Sequence, residues 1–231
     1  MAKALDLFCG AGGTADGLLA AGFDRVVGID NDIGCAASYP GDFIIGDALR
    51  PPVELSDFDF IWASPPCQAY SSSSRNNKKR LVEHPDLVPA TQELIAGHPF
   101  TCIENVVGAP IRQDLVLYGW MVGLPRIQNR RHFELSWFTL QPDLVKPPRS
   151  AWKDYEKYGL ISVTSSGSCR AHTEPRRRAG LKPTATRREM HEVKGIFPLN
   201  RMTNQQIANA VPPPYAEYIG RLVLPLIERE R

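Results

Sequence analysis

Apolar residues along the chain fall into short blocks, each closed by a turn-forming cluster. Residues 4–8 (ALDLF) are an apolar run with one charge, ending in Cys9-Gly10-Ala11-Gly12-Gly13. Residues 14–21 are amphipathic and stop at Gly22, so the segment predicts strand, tight turn, helix. Residues 25–29 predict a second strand ending at Asp30, and 43–45 a short third. Residues 58–63 predict a fourth, running into Ser64-Pro65-Pro66-Cys67. Residues 87–96 predict a helix closed by Gly97, 100–103 a fifth strand ending in Glu104-Asn105, and 132–138 a sixth strand. Near the end, 203–209 and 215–228 have helical patterns, with Pro212-Pro213-Pro214 between them.

Strands alternating with helices at this rhythm predict an α/β fold, a parallel sheet with helices on both faces. Ligands in such sheets sit at the carboxyl ends of the strands. Cys9-Gly10, Asp30, Asp47, Pro65 to Cys67 and Glu104-Asn105 all stand at such ends, which points to one composite site. From about 141 to 200 the pattern breaks down into a segment rich in Pro, Ser, Thr and Arg, expected to be an insert with little regular structure. The chain therefore divides into a main domain, 1–138 with 201–231, and a small basic region, 139–200.

Composition narrows the class. A chain of 231 residues, 43% hydrophobic and 23% charged, suits one soluble domain with a small insert. The net charge of +2 matters less than its distribution, because residues 170–201 hold nine Lys/Arg against three acids, a local +6. Arg75, Lys78, Lys79 and Arg80 form a second basic run. Such blocks are either solvated faces or attractors of phosphate backbones. Five cysteines with no C-x-x-C pair argue against a disulfide framework and a zinc site, so no metal is expected and a reducing cytoplasm is the simplest setting. No apolar run approaches membrane-spanning length, and residues 1–8 lack a signal-peptide pattern.

Four features carry candidate chemistry. The Gly-rich turn 9–13 lets backbone approach a ligand at a helix start, although a plain tight turn has the same look. Asp30 could take the hydroxyls of a ribose, or cap the next helix in competition with Asn31 and Asp32. Asp47, before Ala48, could accept from an adenine amino group or serve only its turn. Pro65-Pro66-Cys67-Gln68 is the sharpest: two rigid prolines present a thiol at a strand end, ahead of a polar loop that includes Ser71. Cys9, Cys35, Cys102 and Cys169 lack that setting and are expected to be inert. A carboxyl such as Glu104 at this edge can act as a proton donor when burial raises its pKa, and Gln128-Asn129-Arg130-Arg131-His132 places guanidinium groups before the sixth strand.

Together these segments resemble the DNA cytosine-5 methyltransferases. Asp6 to Gly13, Pro65-Pro66-Cys67-Gln68 and Glu104-Asn105-Val106 are similar to that family's first, fourth and sixth motifs, in the family's order. Gln206-Ile207-Ala208-Asn209-Ala210-Val211-Pro212-Pro213 is similar to its last motif. The resemblance implies a Rossmann-like S-adenosylmethionine-dependent methyltransferase fold, with a mostly parallel twisted sheet and 139–200 as a small irregular target-recognition insert. It implies Cys67 as nucleophile on carbon 6 of cytosine, with Pro66 beside it, Glu104 at ring nitrogen 3, and Arg131 or Arg130 at the carbonyl oxygen. The family's arginine motif is compressed here; aligned on Phe133 its second arginine is Arg131, the preferred register, and aligned on Gln128 it is His132.

For the cofactor, S-adenosyl-L-methionine giving S-adenosyl-L-homocysteine, the resemblance implies Phe8, Gly10, Ala11, Gly12, Gly13, Asp30, Asn31, Asp47, Ala48, Pro65, Asn209 and Ala210. For double-stranded DNA it implies Gln68, Ser71, Arg75, Lys78 and Lys79 after the nucleophile, and Arg176, Arg177, Arg178, Arg187 and Arg188 in the insert. A monomer in a bacterial cytoplasm, on the nucleoid and of the compact phage or prokaryotic type found in restriction-modification, is expected. Methylation of transfer RNA, and an inactive nucleic-acid-binding homologue, remain as alternatives.

Overall fold

The computed structural model describes residues 1–67, 70, 85–124, 130–144, 161–163, 169–171 and 201–231. Its centre is a seven-stranded sheet in the order β3-β2-β1-β4-β5-β7-β6. The strands are β1 (Lys3–Leu7), β2 (Arg25–Asp30), β3 (Asp42–Ile45), β4 (Phe60–Ala63), β5 (Thr101–Val106), β6 (Leu115–Leu117) and β7 (Arg131–Leu135). The pairs β1–β2, β1–β4, β2–β3 and β4–β5 are parallel; β7 runs antiparallel to both β5 and β6. The mostly parallel α/β sheet expected from the sequence is therefore present.

Both faces of the sheet are covered, which is why its central strands read as nearly unbroken apolar runs. Ala4, Val26, Phe60, Trp62, Cys102 and Phe133 point to one side and pack under helices α1 (Gly13–Ala21) and α4 (Pro213–Glu230). Leu5, Leu7, Val27, Ile29, Ile61, Ala63 and Ile103 point to the other, where α2 (Val88–Ile95) contributes Val88 and Ile95. A third short helix, α3 (Asn204–Asn209), begins at Thr203, whose side chain accepts from the Gln206 N–H.

The structure departs from the sequence expectations in three places. α4 starts at Pro213 and not after the proline run, because its first turn needs no N–H groups from proline. A strand the sequence did not predict, β6, forms the sheet's edge. The region read as an insert with little regular structure contains a short two-stranded antiparallel pair that the sequence reading did not place, β8 (Ile161–Val163) and β9 (Cys169–Ala171). At the start of that region Gln141 is tied to the main sheet: its side chain accepts from the Val116 N–H at 2.7 Å and donates to the Val116 carbonyl at 3.0 Å. No helix among the described residues is long and apolar enough to cross a membrane.

Candidate active site

The strand order reverses direction at β1, which has β2 on one side and β4 on the other. A crevice for ligands is expected at that switch point, beyond the carboxyl ends of β1 and β4. The Gly-rich turn follows one of these strands and Pro65-Pro66-Cys67 the other, with Ser64 N–H bonded to the Leu7 carbonyl between them.

The turn is held in an unusual backbone path. Phe8 has φ of 59° and Gly12 φ of 91°, both left-handed. A side chain at such an angle costs about 1–3 kcal/mol, and the cost recurs at ligand-binding turns. Asp30 ties the turn to β2: one carboxylate oxygen accepts from the Gly10 N–H at 2.9 Å and the other from the Asp32 N–H at 2.9 Å. The cap of the following 3₁₀ segment Ile33–Ser38 is Asp32, which accepts from Gly34 at 2.9 Å. Asn31 is exposed. Asp47 binds locally, accepting from Leu49 N–H at 2.9 Å and from Arg50 Nε at 3.1 Å, while Ala48 behind it is buried.

The last segment closes on this turn. A side chain at Gly13 would meet the Val211 carbonyl at 2.2 Å and Ala210 Cβ at 3.1 Å; one at Gly17 would meet the Pro213 carbonyl at 2.2 Å. Only hydrogen at these two positions lets α1 and the 210–216 segment come so close. Asn209 is exposed and takes a hydrogen bond from Gln205 at 3.3 Å. Arg201, counted in the basic run 170–201, forks onto Asp16 of α1 at 2.6 and 2.8 Å and so is not available as an unpaired phosphate contact.

On the other side of the crevice stands an ion pair. Arg131, at the start of β7, donates from Nη1 to Glu104 Oε1 at 2.9 Å, with side-chain exposures of 14% and 4%. The pairing follows from register: Glu104 lies opposite Phe133 and Val106 opposite Arg131, so the two charged groups are diagonal neighbours on one sheet face. Cys67 is partly buried beside them. Burial pushes its thiol up, Arg131 pulls it down, and Glu104 pushes it up. Arg131 is itself lowered by burial, but Glu104 and Cys67 more than compensate and keep it charged. Of the two arginines considered, Arg131 reaches Glu104; Arg130 adjoins it, with its Nε buried and without a partner among the described residues.

Pro65 is buried, and its carbonyl accepts from the Asn105 side chain at 3.0 Å, which fixes the loop carrying Pro66 and Cys67 to the end of β5. Beneath the turn, Asp6 is fully buried and accepts from the Tyr39 hydroxyl at 3.2 Å. Asn105 and Asp6 entered the sequence reading only as members of their motifs, whereas Tyr39 and Tyr215, which is also buried and adjoins the ion pair, did not enter it as site residues. Gln68, Ser71, Arg75, Lys78, Lys79, Arg176, Arg177, Arg178, Arg187 and Arg188 lie outside the described residues. Among the described residues, no cluster of His, Cys, Asp and Glu could hold a metal ion.

Residues 2–106 match the model for C-5 cytosine-specific DNA methylases. Type II methyltransferase M.DdeI of Desulfomicrobium norvegicum is 32% identical over 85 residues, which covers 32% of this chain and 20% of that protein. The aligned stretch is thus about a fifth of the relative's length. A solved structure from E. coli, described as a DNA modification methyltransferase encoded within a prophage, covers 99% of this chain and 100% of its own with a TM-score of 0.59. At 14% identity that likeness shows a shared fold and nothing more. Residues 2–106, which hold the Gly-rich turn, the thiol loop and Glu104-Asn105-Val106, are thus similar to the C-5 cytosine-specific DNA methylases.

Proposed function

We propose that the chain is an S-adenosylmethionine-dependent DNA methyltransferase that modifies carbon 5 of cytosine through a covalent bond from Cys67 to carbon 6. The observation that carries this reading is the buried Arg131–Glu104 pair, 2.9 Å apart, next to the Cys67 thiol, whose pKa burial raises while Arg131 opposes the rise.

The Gly-rich turn suits a nucleoside-bearing cofactor. A side chain at Gly10 would meet nothing within 4 Å, so open space lies over the turn. Gly10, Ala11, Gly12, Gly13 and Phe8 would hold the cofactor's amino-acid end, with Asp30 and Asn31 at its ribose. Asp47 and Ala48 would take its base, and Pro65, Asn209 and Ala210 would close the sides. When bound, S-adenosylmethionine supplies the methyl group.

The remaining work falls to the chain. Carbon 5 of cytosine is a poor nucleophile until carbon 6 is attacked. Cys67 adds there as the thiolate, and the ring becomes enamine-like at carbon 5. Glu104 protonates or hydrogen-bonds ring nitrogen 3, so negative charge does not build up on the base; positioned proton transfer of this kind is worth roughly 10²–10⁴ in rate. Arg131 holds the carbonyl oxygen. After methylation, loss of the carbon-5 proton expels Cys67 and restores the aromatic ring. The base must first leave the duplex, at roughly a few kcal/mol. Lysines and arginines of the 75–80 run and of residues 170–194 would offset that cost through phosphate contacts.

The test is 5-methyldeoxycytidine measured by mass spectrometry after incubation with duplex DNA and S-adenosylmethionine, with Cys67→Ala as control. Product from the wild type alone is expected. Equal product from both would remove Cys67 from the mechanism, and product on transfer RNA but not on DNA would reassign the substrate.

A further inference from the structure

Residues 211–215 join the two sides of the crevice. At one end the Val211 carbonyl seats against Gly13 of the turn. At the other, Tyr215 is fully buried and packs on Phe133, with ring centroids 6.3 Å apart and planes tilted by 34°. Phe133 is the cross-strand partner of Glu104 and lies two residues beyond Arg131 on the same face of β7. Tyr215 therefore backs the Arg131–Glu104 pair from α4. Burial keeps its phenol protonated; Arg131 acts against that and Glu104 with it, so both charges are within electrostatic reach of the ring. A phenylalanine would fill the same space without the cost of burying a hydroxyl, so any role beyond packing resides in that hydroxyl.

We propose that Tyr215 is a positioning residue: its hydroxyl, carried on the segment that seats on Gly13, fixes Arg131 and Glu104 against Cys67, and so sets the cofactor side and the base side of the crevice in one register. The proposal rests on the reading that Cys67, Glu104 and Arg131 act on the base.

The first readout needs no turnover. The rate of Cys67 alkylation by iodoacetamide, followed by peptide mass spectrometry as a function of pH, reports how closely Arg131 is held to the thiol. Cys67 faces Arg131 and Glu104, and Tyr215 acts on it through them. In Tyr215→Phe the alkylation midpoint is expected to rise by about half a pH unit, a roughly threefold loss of thiolate at fixed pH. Methyl transfer is expected to fall about tenfold in kcat while affinity for S-adenosylhomocysteine stays within about twofold. An unchanged Cys67 midpoint in a folded Tyr215→Phe protein would overturn the proposal. So would a shift of equal size when Arg131 is already replaced by Lys, because Tyr215 would then not act through Arg131. Should Tyr215→Phe not fold, Tyr215→Leu, which also removes the hydroxyl, is held to the same criteria. Failure of the methylation reading would appear separately, as a Cys67 midpoint that rises in Tyr215→Phe as expected while the wild type transfers no methyl group.

Discussion

The side-chain amide of Asn105 donates to the Pro65 carbonyl at 3.0 Å, while its own carbonyl accepts from the Val106 N–H at 2.8 Å. One buried residue thus joins the end of β5 to the loop that presents Cys67. Replacing Asn105 with Ala leaves a carbonyl and an N–H without these partners, at a cost of about 1–3 kcal/mol each at most. Asn105→Ala is expected to remain folded, to bind S-adenosylhomocysteine nearly normally, and to lose most methyl transfer. Urea unfolding, cofactor titration and turnover check these together; full turnover would show that the loop holds Cys67 without Asn105.

The Arg131–Glu104 pair separates stability from activity. Removing one partner strands a buried charge, so Arg131→Ala is expected to cost about 3–5 kcal/mol of folding stability. Replacing both with Met removes the stranded charge and is expected to return stability to within about 2 kcal/mol of the wild type. Turnover should be absent in all of these variants. Denaturant unfolding of Arg131→Met, Glu104→Met and the double variant measures the coupling, and a coupling near zero would contradict a buried, direct pair.

Asp6 gives a pH dependence of known sign. Burial holds its pKa well above the usual carboxylate range, the Tyr39 hydroxyl opposes the shift, and Asp30 adds to it. A raised folded pKa means that the native state binds the proton more tightly than the unfolded chain. Its contribution is therefore fully present below the ordinary carboxylate pKa and is lost as pH climbs toward the raised value. Asp6→Asn keeps an acceptor for Tyr39 and removes the titration. The stability of the variant relative to wild type is expected to improve steadily from pH 5 to pH 8 in urea midpoints. A difference that does not change with pH would mean that Asp6 is ionised in the folded protein.

Gln141 covers an exposed strand edge. Its amide imitates a neighbouring strand by bonding both the N–H and the carbonyl of Val116 on β6. Unpaired edge groups template association between sheets. Gln141→Ala should cost only about 1 kcal/mol in monomer stability, yet raise the rate of aggregation on storage. Light scattering over days measures it; identical scattering for the two proteins would show the edge to be protected by other means.

The site was more legible in the sequence than its supports. The Gly-rich turn, Pro65-Pro66-Cys67 and Glu104-Asn105 are each contiguous and each end an apolar run, so their convergence follows once the sheet is parallel. Periodicity carries no strand direction, so the reversal of β7 was hidden. β6 has three residues, too few to stand out from a loop. Arg201 looked like one more cation of a basic run because its partner Asp16 is 185 positions away. Tyr39 reaches Asp6 because Gly28 between them has no side chain: a Cβ there would lie 2.3 Å from the Tyr39 ring. Tyr215 looked like one more large residue of a helix face. In each case the decisive fact was a long-range contact, which composition and spacing do not carry.

Gly13 and Gly17 are covered by residues 210–216, which lie far along the chain from them. A fragment that stops before residue 210 holds the thiol loop and one half of the proposed cofactor cradle. Such a fragment is therefore expected to retain no S-adenosylhomocysteine in a filter-binding assay, whereas the chain that includes 210–231 retains it. The crevice is a joint between two distant stretches of sequence, and loss of either stretch would leave the remainder inert toward DNA instead of partly active.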